Sequence, residues 1–249
     1  MEFSENQVLL LEELSLANYI SEITEHCRII FPGLMPLFDR ESLRKYFSHV
    51  INLAKQSDYT QRGPVRLYID MTIMFGVRFE YDPLYRWLNN NIDHALPQLE
   101  KSMANYLLVD QYTSAICGMD CVFFDESHAN FQSLSINSLP SHVIDGGKKL
   151  HELLMRIYPQ RYKIVGENAI DKLIALSDIH SKNYDMKNES DKTYLIVIMF
   201  LFGCEFDKDY FRTQLIMPSL LNFFSGNRES SHSKIASAYS CFKINHATL

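Results

Sequence analysis

The stretch MFGVRFEYDPLY, Met74 to Tyr85, returns further along the chain as LFGCEFDKDYF, Leu201 to Phe211. Adding 127 to each number sets Phe75-Gly76 on Phe202-Gly203, Phe79 on Phe206, Glu80 on Asp207 and Asp82 on Asp209. The same shift, without a gap, sets Pro32 on Pro159, Lys45 on Lys172, Lys55 on Lys182, Asp58 on Asp185 and Ile69 on Ile196. Between Pro32 and Asp82 this gives nine identities in 51 positions. Ordinary residue frequencies would give roughly three. The pattern predicts an internal repeat whose unit is a multi-helix block, far longer than a solenoid period.

Each half reads as helix. Tyr68, Met71, Thr72, Phe75 and Phe79 follow the spacing of one helical face, and Leu195, Ile198, Met199, Phe202 and Phe206 do the same. A glycine within such a stripe costs about 1 kcal/mol relative to alanine. Its recurrence at Gly76 and Gly203 therefore predicts close helix packing or a bend. The acids that follow have two readings. Asp82, before Pro83, and Asp209 suit helix N-caps. Alternatively Glu80/Asp82 and Asp207/Asp209 are carboxylate pairs of a helical hydrolase, which would need a cleft and perturbed acidities. Capping is the expectation.

Elsewhere Glu5–Phe31 reads as a long amphipathic helix that stops before Pro32, and Asp39 as the N-cap of the next. Pro83–Phe124 reads as a helical stretch broken near Pro97. No strand-like alternation extends beyond a few residues. The expected fold is all-α, a helical bundle of two divergent copies. Its divisions are an N-terminal repeat at 1–134, a linker at 135–147, a C-terminal repeat at 148–226 and a loosely held polar tail at 227–249.

Composition narrows the function classes. Of 249 residues 47% are hydrophobic and 22% charged, a globular profile with material for a sizeable core. The net charge of −6 argues against binding to a phosphate backbone, so no nucleic-acid partner is expected. The N-terminus lacks a basic region. The most apolar run, Tyr194–Cys204, falls short of the roughly 18–20 residues of a membrane span. A cytoplasmic protein with no membrane partner is expected.

Five scattered cysteines do not suggest a disulfide framework. Cys117 and Cys121 would lie one helical turn apart as small buried residues, with no second ligand pair to complete a metal set. Asp125-Glu126-Ser127-His128 collects hydrolase residue types in a row, whereas a triad assembles in space; a polar loop is the expectation. No phosphate-binding, dinucleotide, nucleophile-elbow or zinc-protease motif occurs. No catalytic, cofactor-binding or metal-ligating residue is assigned, and no enzyme is expected. Trp87, beside Arg86, has the character of an interface anchor, with a core position as the alternative.

The run YIDMTIMFGVRFEYDPLYRWL resembles a bacterial helical family whose members are often encoded beside type VI secretion effectors of the PAAR and Rhs kind. Tyr68, Ile69, Gly76, Phe79, Glu80, Asp82, Pro83, Tyr85 and Trp87 carry the likeness. Arg86 stands where proline is commoner, and the second copy lacks the Pro and the Trp. The resemblance covers about the first hundred residues. It implies an immunity protein that neutralises a cognate type VI secretion toxin by direct binding, or else an adaptor or chaperone that loads an effector. The partner-binding residues expected on this basis are Glu80, Tyr81, Asp82, Tyr85, Arg86, Trp87, Asp207 and Asp209.

Overall fold

Every residue from Thr193 to Cys204 is buried, and the fold is organised around that segment. The computed structural model describes residues 4–90, 96–141, 147–184, 186 and 188–245. Among them are thirteen α-helices and no strand, so the chain is all-α. No described helix is long and apolar enough to cross a membrane.

In the first half α1 spans Glu5–Ile30, α2 Arg40–Gln56, α3 Arg62–Phe75, α4 Arg86–Asn90, α5 Gln98–Cys117 and α6 Val122–Gln132. In the second half α7 spans Lys148–Ile157, α8 Pro159–Val165, α9 Glu167–Asn183, α10 Glu189–Phe202, α11 Tyr210–Leu215, α12 Met217–Phe224 and α13 Arg228–Ser240. Several bounds differ by 127. The α2 interval becomes that of α9, the α3 interval becomes that of α10, and the last residue of α1, Ile30, becomes that of α7, Ile157.

Local sequence sets these starts and stops. Asp39 caps α2 by accepting from the Ser42 N–H at 2.8 Å, and Asn188 caps α10 by accepting from the Ser190 N–H at 2.9 Å. Gly76 and Gly203 do not lie inside helices. They end α3 and α10 with φ near +99° and +94° and ψ near 161° and 157°, a backbone region open in practice only to glycine. Phe79 and Phe206, the last residues of the two apolar stripes, therefore lie beyond the helix ends, and both are buried. Burial, not helical periodicity, gives them their spacing.

The buried apolar side chains form one cluster that runs from Ile20 to Ile244 through both halves. Helix α10 packs against α9 and α7, α3 against α2 and α5, and α13 against α12 and α6. Of the expected linker at 135–147, residues 142–146 lie outside the described residues. Before them Ile136 is buried, and the Pro140 carbonyl accepts from the Thr193 hydroxyl at 2.6 Å.

The expectation of a loose tail after Gly226 is corrected. Residues 228–240 form α13, which buries Ile235, Ala236 and Tyr239 while Ser233, Lys234, Ser237 and Ser240 face solvent. The segment's polarity belongs to its outer face. Two further expectations are revised. Cys117 ends α5, and Asp120 and Cys121 adopt left-handed backbone angles, so the two cysteines do not share a helix face. Asp125–His128 lies within α6 rather than in a loop.

His232 shows how α13 is held. Its Nδ1 accepts from the Tyr194 hydroxyl at 3.0 Å, and its Nε2 faces the Gln132 carbonyl at 3.3 Å, which fits a neutral ring with the proton on Nε2. Burial lowers its pKa from the usual value, partly offset by the backbone hydrogen bonds. On acidification the unfolded chain takes up the proton first, so this contribution to stability is complete above about pH 6.5 and is lost as pH falls below it. Thermal midpoints measured from about pH 7.5 to 5 should therefore fall, and the fall should be shallower in His232→Gln.

Candidate partner-binding site

The residues singled out in the two repeated stretches separate into a buried frame and an exposed tip. The frame lies where α3 and α10 bring their C-terminal ends together. A Cβ on Gly203 would stand 2.7 Å from the Phe75 carbonyl oxygen, so the backbones approach more closely than any side chain would permit. A Cβ on Gly76 would meet the Phe202 carbonyl oxygen at an ordinary 3.6 Å.

Across this contact the two aspartates act reciprocally. Asp82 accepts from the Leu84 N–H of its own turn at 2.9 Å and from the Cys204 N–H, just beyond Gly203, at 2.7 Å. Asp209 accepts from the Arg212 N–H of its own turn at 3.0 Å and from the Val77 N–H, just beyond Gly76, at 3.2 Å. Each carboxylate thus caps one turn and ties it to the opposite helix end. Burial pushes the Asp82 pKa up, and the N–H groups of Cys204 and Leu84 oppose the rise.

Two helix C-termini facing each other bring together partial negative charge and unpaired carbonyls. Two buried arginines answer it. Arg212 pairs with Asp209 at 3.1 Å and donates to the carbonyls of Ile73 and Met74 at 3.0 and 3.1 Å. Arg161 donates to the Leu201 carbonyl at 3.2 Å and to the Tyr85 hydroxyl. Tyr85 occupies the place of Arg212 after the shift of 127, so a tyrosine and an arginine from α8 do in one half what a single arginine does in the other. Arg161 and Arg212 carried no motif signal in the sequence; only the register of the halves relates Arg212 to Tyr85.

The expectation that Asp82, Tyr85 and Asp209 contact a partner is accordingly corrected. All three are buried, and their polar atoms are spent on internal bonds. Asp207 is half-buried, accepts from the Tyr184 hydroxyl at 2.9 Å and stands 3.8 Å from His180 Nδ1. Trp87 is half-buried and stacks on Tyr112 with ring centroids 4.7 Å apart.

The exposed tip is what remains of the set. Tyr81 is 72% exposed, on a short 3-10 turn that also holds the half-buried Glu80. Arg78 enters that turn in the left-handed region at φ +60°, and its guanidinium lies 5.2 Å from the Tyr81 ring centroid. Arg86 is exposed on the next turn. At the corresponding positions of the second half stand Glu205 and Lys208, which pair with each other. The two turns share a frame and present opposite chemistry.

Other candidate chemistry is engaged elsewhere. Asp125 pairs with Lys243, the Ser127 hydroxyl meets that of Tyr239 at 3.3 Å, and His128 Nε2 lies 3.0 Å from the Ala236 carbonyl. No group of three or more metal-ligating residues occurs among the described residues. A separate cleft of about 220 Å³ between α3 and α5 contains a His26–Asp70 pair at 2.9 Å, with Leu99 and Met103 on its rim. Burial pushes the Asp70 pKa up, and His26 opposes the rise. Sequence reasoning missed this pair, because its members lie 44 residues apart on different helices.

No protein-family model, curated protein or solved structure matches the chain.

Gly203→Ala should destabilise the fold more than Gly76→Ala. Both meet a backbone strain of about 1–3 kcal/mol, and only the former adds a clash with backbone. Asp209→Ala should cost about 3–5 kcal/mol, since it strands the buried Arg212 guanidinium. Urea unfolding of the three variants, compared by midpoint at constant slope, checks both expectations.

Proposed function

We propose that this chain is an immunity protein that neutralises a cognate type VI secretion toxin by direct binding, with the Arg78–Tyr81–Arg86 tip as a principal contact. The observation that carries this reading is the division of the repeated motif. Its buried half rigidly sets a turn, and its exposed half offers a tyrosine already ordered beneath an arginine. Tyrosine and arginine supply much of the binding energy at protein interfaces, and a preordered side chain loses little entropy on docking. The sequence resemblance supplies the class of partner. The net charge of −6 suits a basic toxin.

We also infer that the halves are divergent copies of one unit. Support comes from helix bounds that differ by 127, from near-identical angles at Gly76 and Gly203, and from the reciprocal Asp82 and Asp209 bonds. On this reading one turn has diverged to an Arg/Tyr tip and its counterpart to a Glu205–Lys208 pair. Binding as an adaptor or chaperone is the second reading. It is favoured by the exposed apolar ridge of Leu99, Met103 and Leu107 on α5, which suits an apolar delivery segment.

Co-expression with the toxic domain encoded beside this chain should rescue growth, and the two should co-purify. Tyr81→Ala and Arg86→Ala should each weaken the complex about tenfold or more, with unchanged thermal midpoints. Rescue unaffected by both substitutions would reject the tip as the contact. Failure to rescue, with capture of the effector's delivery segment instead, would favour the chaperone reading.

A further inference from the structure

Helix α1 begins far from the rest of the fold. Ser4 and Gln7 form a capping box, so the helix starts on local hydrogen bonds alone. Every described residue from Ser4 to Leu16 is exposed, and the first buried position is Ile20. At about 1.5 Å per residue the overhang extends roughly 20 Å. Polar side chains would be expected on a solvated arm, yet Val8, Leu9, Leu10, Leu11, Leu14 and Leu16 are all 41–57% exposed.

The arm is also one-signed. Glu5, Glu12 and Glu13 are its charged residues, and the first lysine or arginine of the chain is Arg28. Beside the arm's root, between α1 and α2, runs an open groove of about 650 Å³. Its α1 wall includes Ala17, Ser21, Thr24 and Arg28, and its α2 wall includes Arg40 and Arg44. Neither Arg40 nor Arg44 forms an ion pair with a described residue, whereas Glu25 pairs with Arg28 and Glu41 with Lys45.

The arm and the groove are in register on one helix face. Leu10, Leu14, Ala17, Ser21, Thr24 and Arg28 succeed one another at spacings of four and three, the repeat of a helix–helix seam. Large apolar residues occupy its first part and small ones its second. A two-fold axis beside Ala17 would run two such helices antiparallel, with residue i opposite residue 34 − i. Leu14 then meets Ile20, Leu10 meets Thr24, and both leucines fall over the small stretch around Ser21. Glu13, which flanks the seam, is carried past the Arg40 and Arg44 wall. One symmetric contact covers Leu10 and Leu14 of both arms and fills both grooves, as an isologous interface requires.

We propose that the chain forms an antiparallel homodimer in which the acidic, leucine-rich arm of each α1 lies in the α1/α2 groove of a second copy. Leu10 and Leu14 supply the burial, and Glu13 against Arg40 and Arg44 fixes the direction. A parallel pairing would leave both grooves empty.

Sedimentation equilibrium of the full chain over a concentration series is the test, with circular dichroism and thermal midpoint as folding controls. The wild type should dimerise in the micromolar range or tighter, and more weakly as salt rises. Leu10→Asp with Leu14→Asp should give a monomer of unchanged midpoint, since these side chains are solvent-exposed in a single copy. Arg40→Glu with Arg44→Glu should weaken association about tenfold or more, and adding Glu13→Arg should restore it. A wild-type monomer at concentrations of about 100 μM would overturn the proposal. So would a dimer that survives the double leucine substitution, or a charge swap that fails to rescue.

Discussion

Two helix C-termini pressed against each other would ordinarily repel, and the protein is built around the means by which they do not. The close approach exists because Gly203 has no Cβ to strike the Phe75 carbonyl. It brings the negative ends of two helix dipoles together and strands their last carbonyls away from water. Two carboxylates and two guanidinium groups then meet at the junction as a charge-balanced set. Asp82 and Asp209 take the N–H groups just past each glycine, while Arg161 and Arg212 take the carbonyls just before them. Removing any one member leaves a buried polar group without its partner, which is why the set acts as a unit.

From this junction the rest of the arrangement follows. The bonds run between the halves, so they fix the position of α3 relative to α10, and with them the layers that pack on each. The same bonds fix where the following turns leave the junction. In the first half that turn leads out to Tyr81, and in the second to Lys208. A rigid interior thus carries two exteriors of different chemistry. Of the acids that looked like candidate catalytic pairs, Asp82 and Asp209 belong to the rigid part.

The arm of α1 belongs to a different physical regime. Nothing of the interior reaches it, and its helix rests on capping and propensity until it meets a surface. Its exposed leucines and its single sign of charge are costs with no return in an isolated copy. They become complementary to the α1/α2 groove only when a second molecule is present.

The sequence by itself determined that the chain is helical, where several helices begin and end, and that two stretches 127 residues apart share a pattern. These are local matters: Asp39 caps α2 because its carboxylate reaches an N–H three residues away, and the apolar stripe of α3 is written at helical spacing. The capping of their own turns by Asp82 and Asp209 was legible locally, whereas tertiary structure alone decided what Gly203 abuts and which second N–H each aspartate takes, because those partners lie across the junction. It decided likewise that Tyr85 is internal while Tyr81 is not, although they stand four residues apart in one motif. It also made the serine-rich segment after Gly226 a packed helix, since a helix needs apolar residues only on the face it buries. Contacts over long chain separations depend on how whole helices come together, and that information is spread over the entire core rather than held in any one stretch.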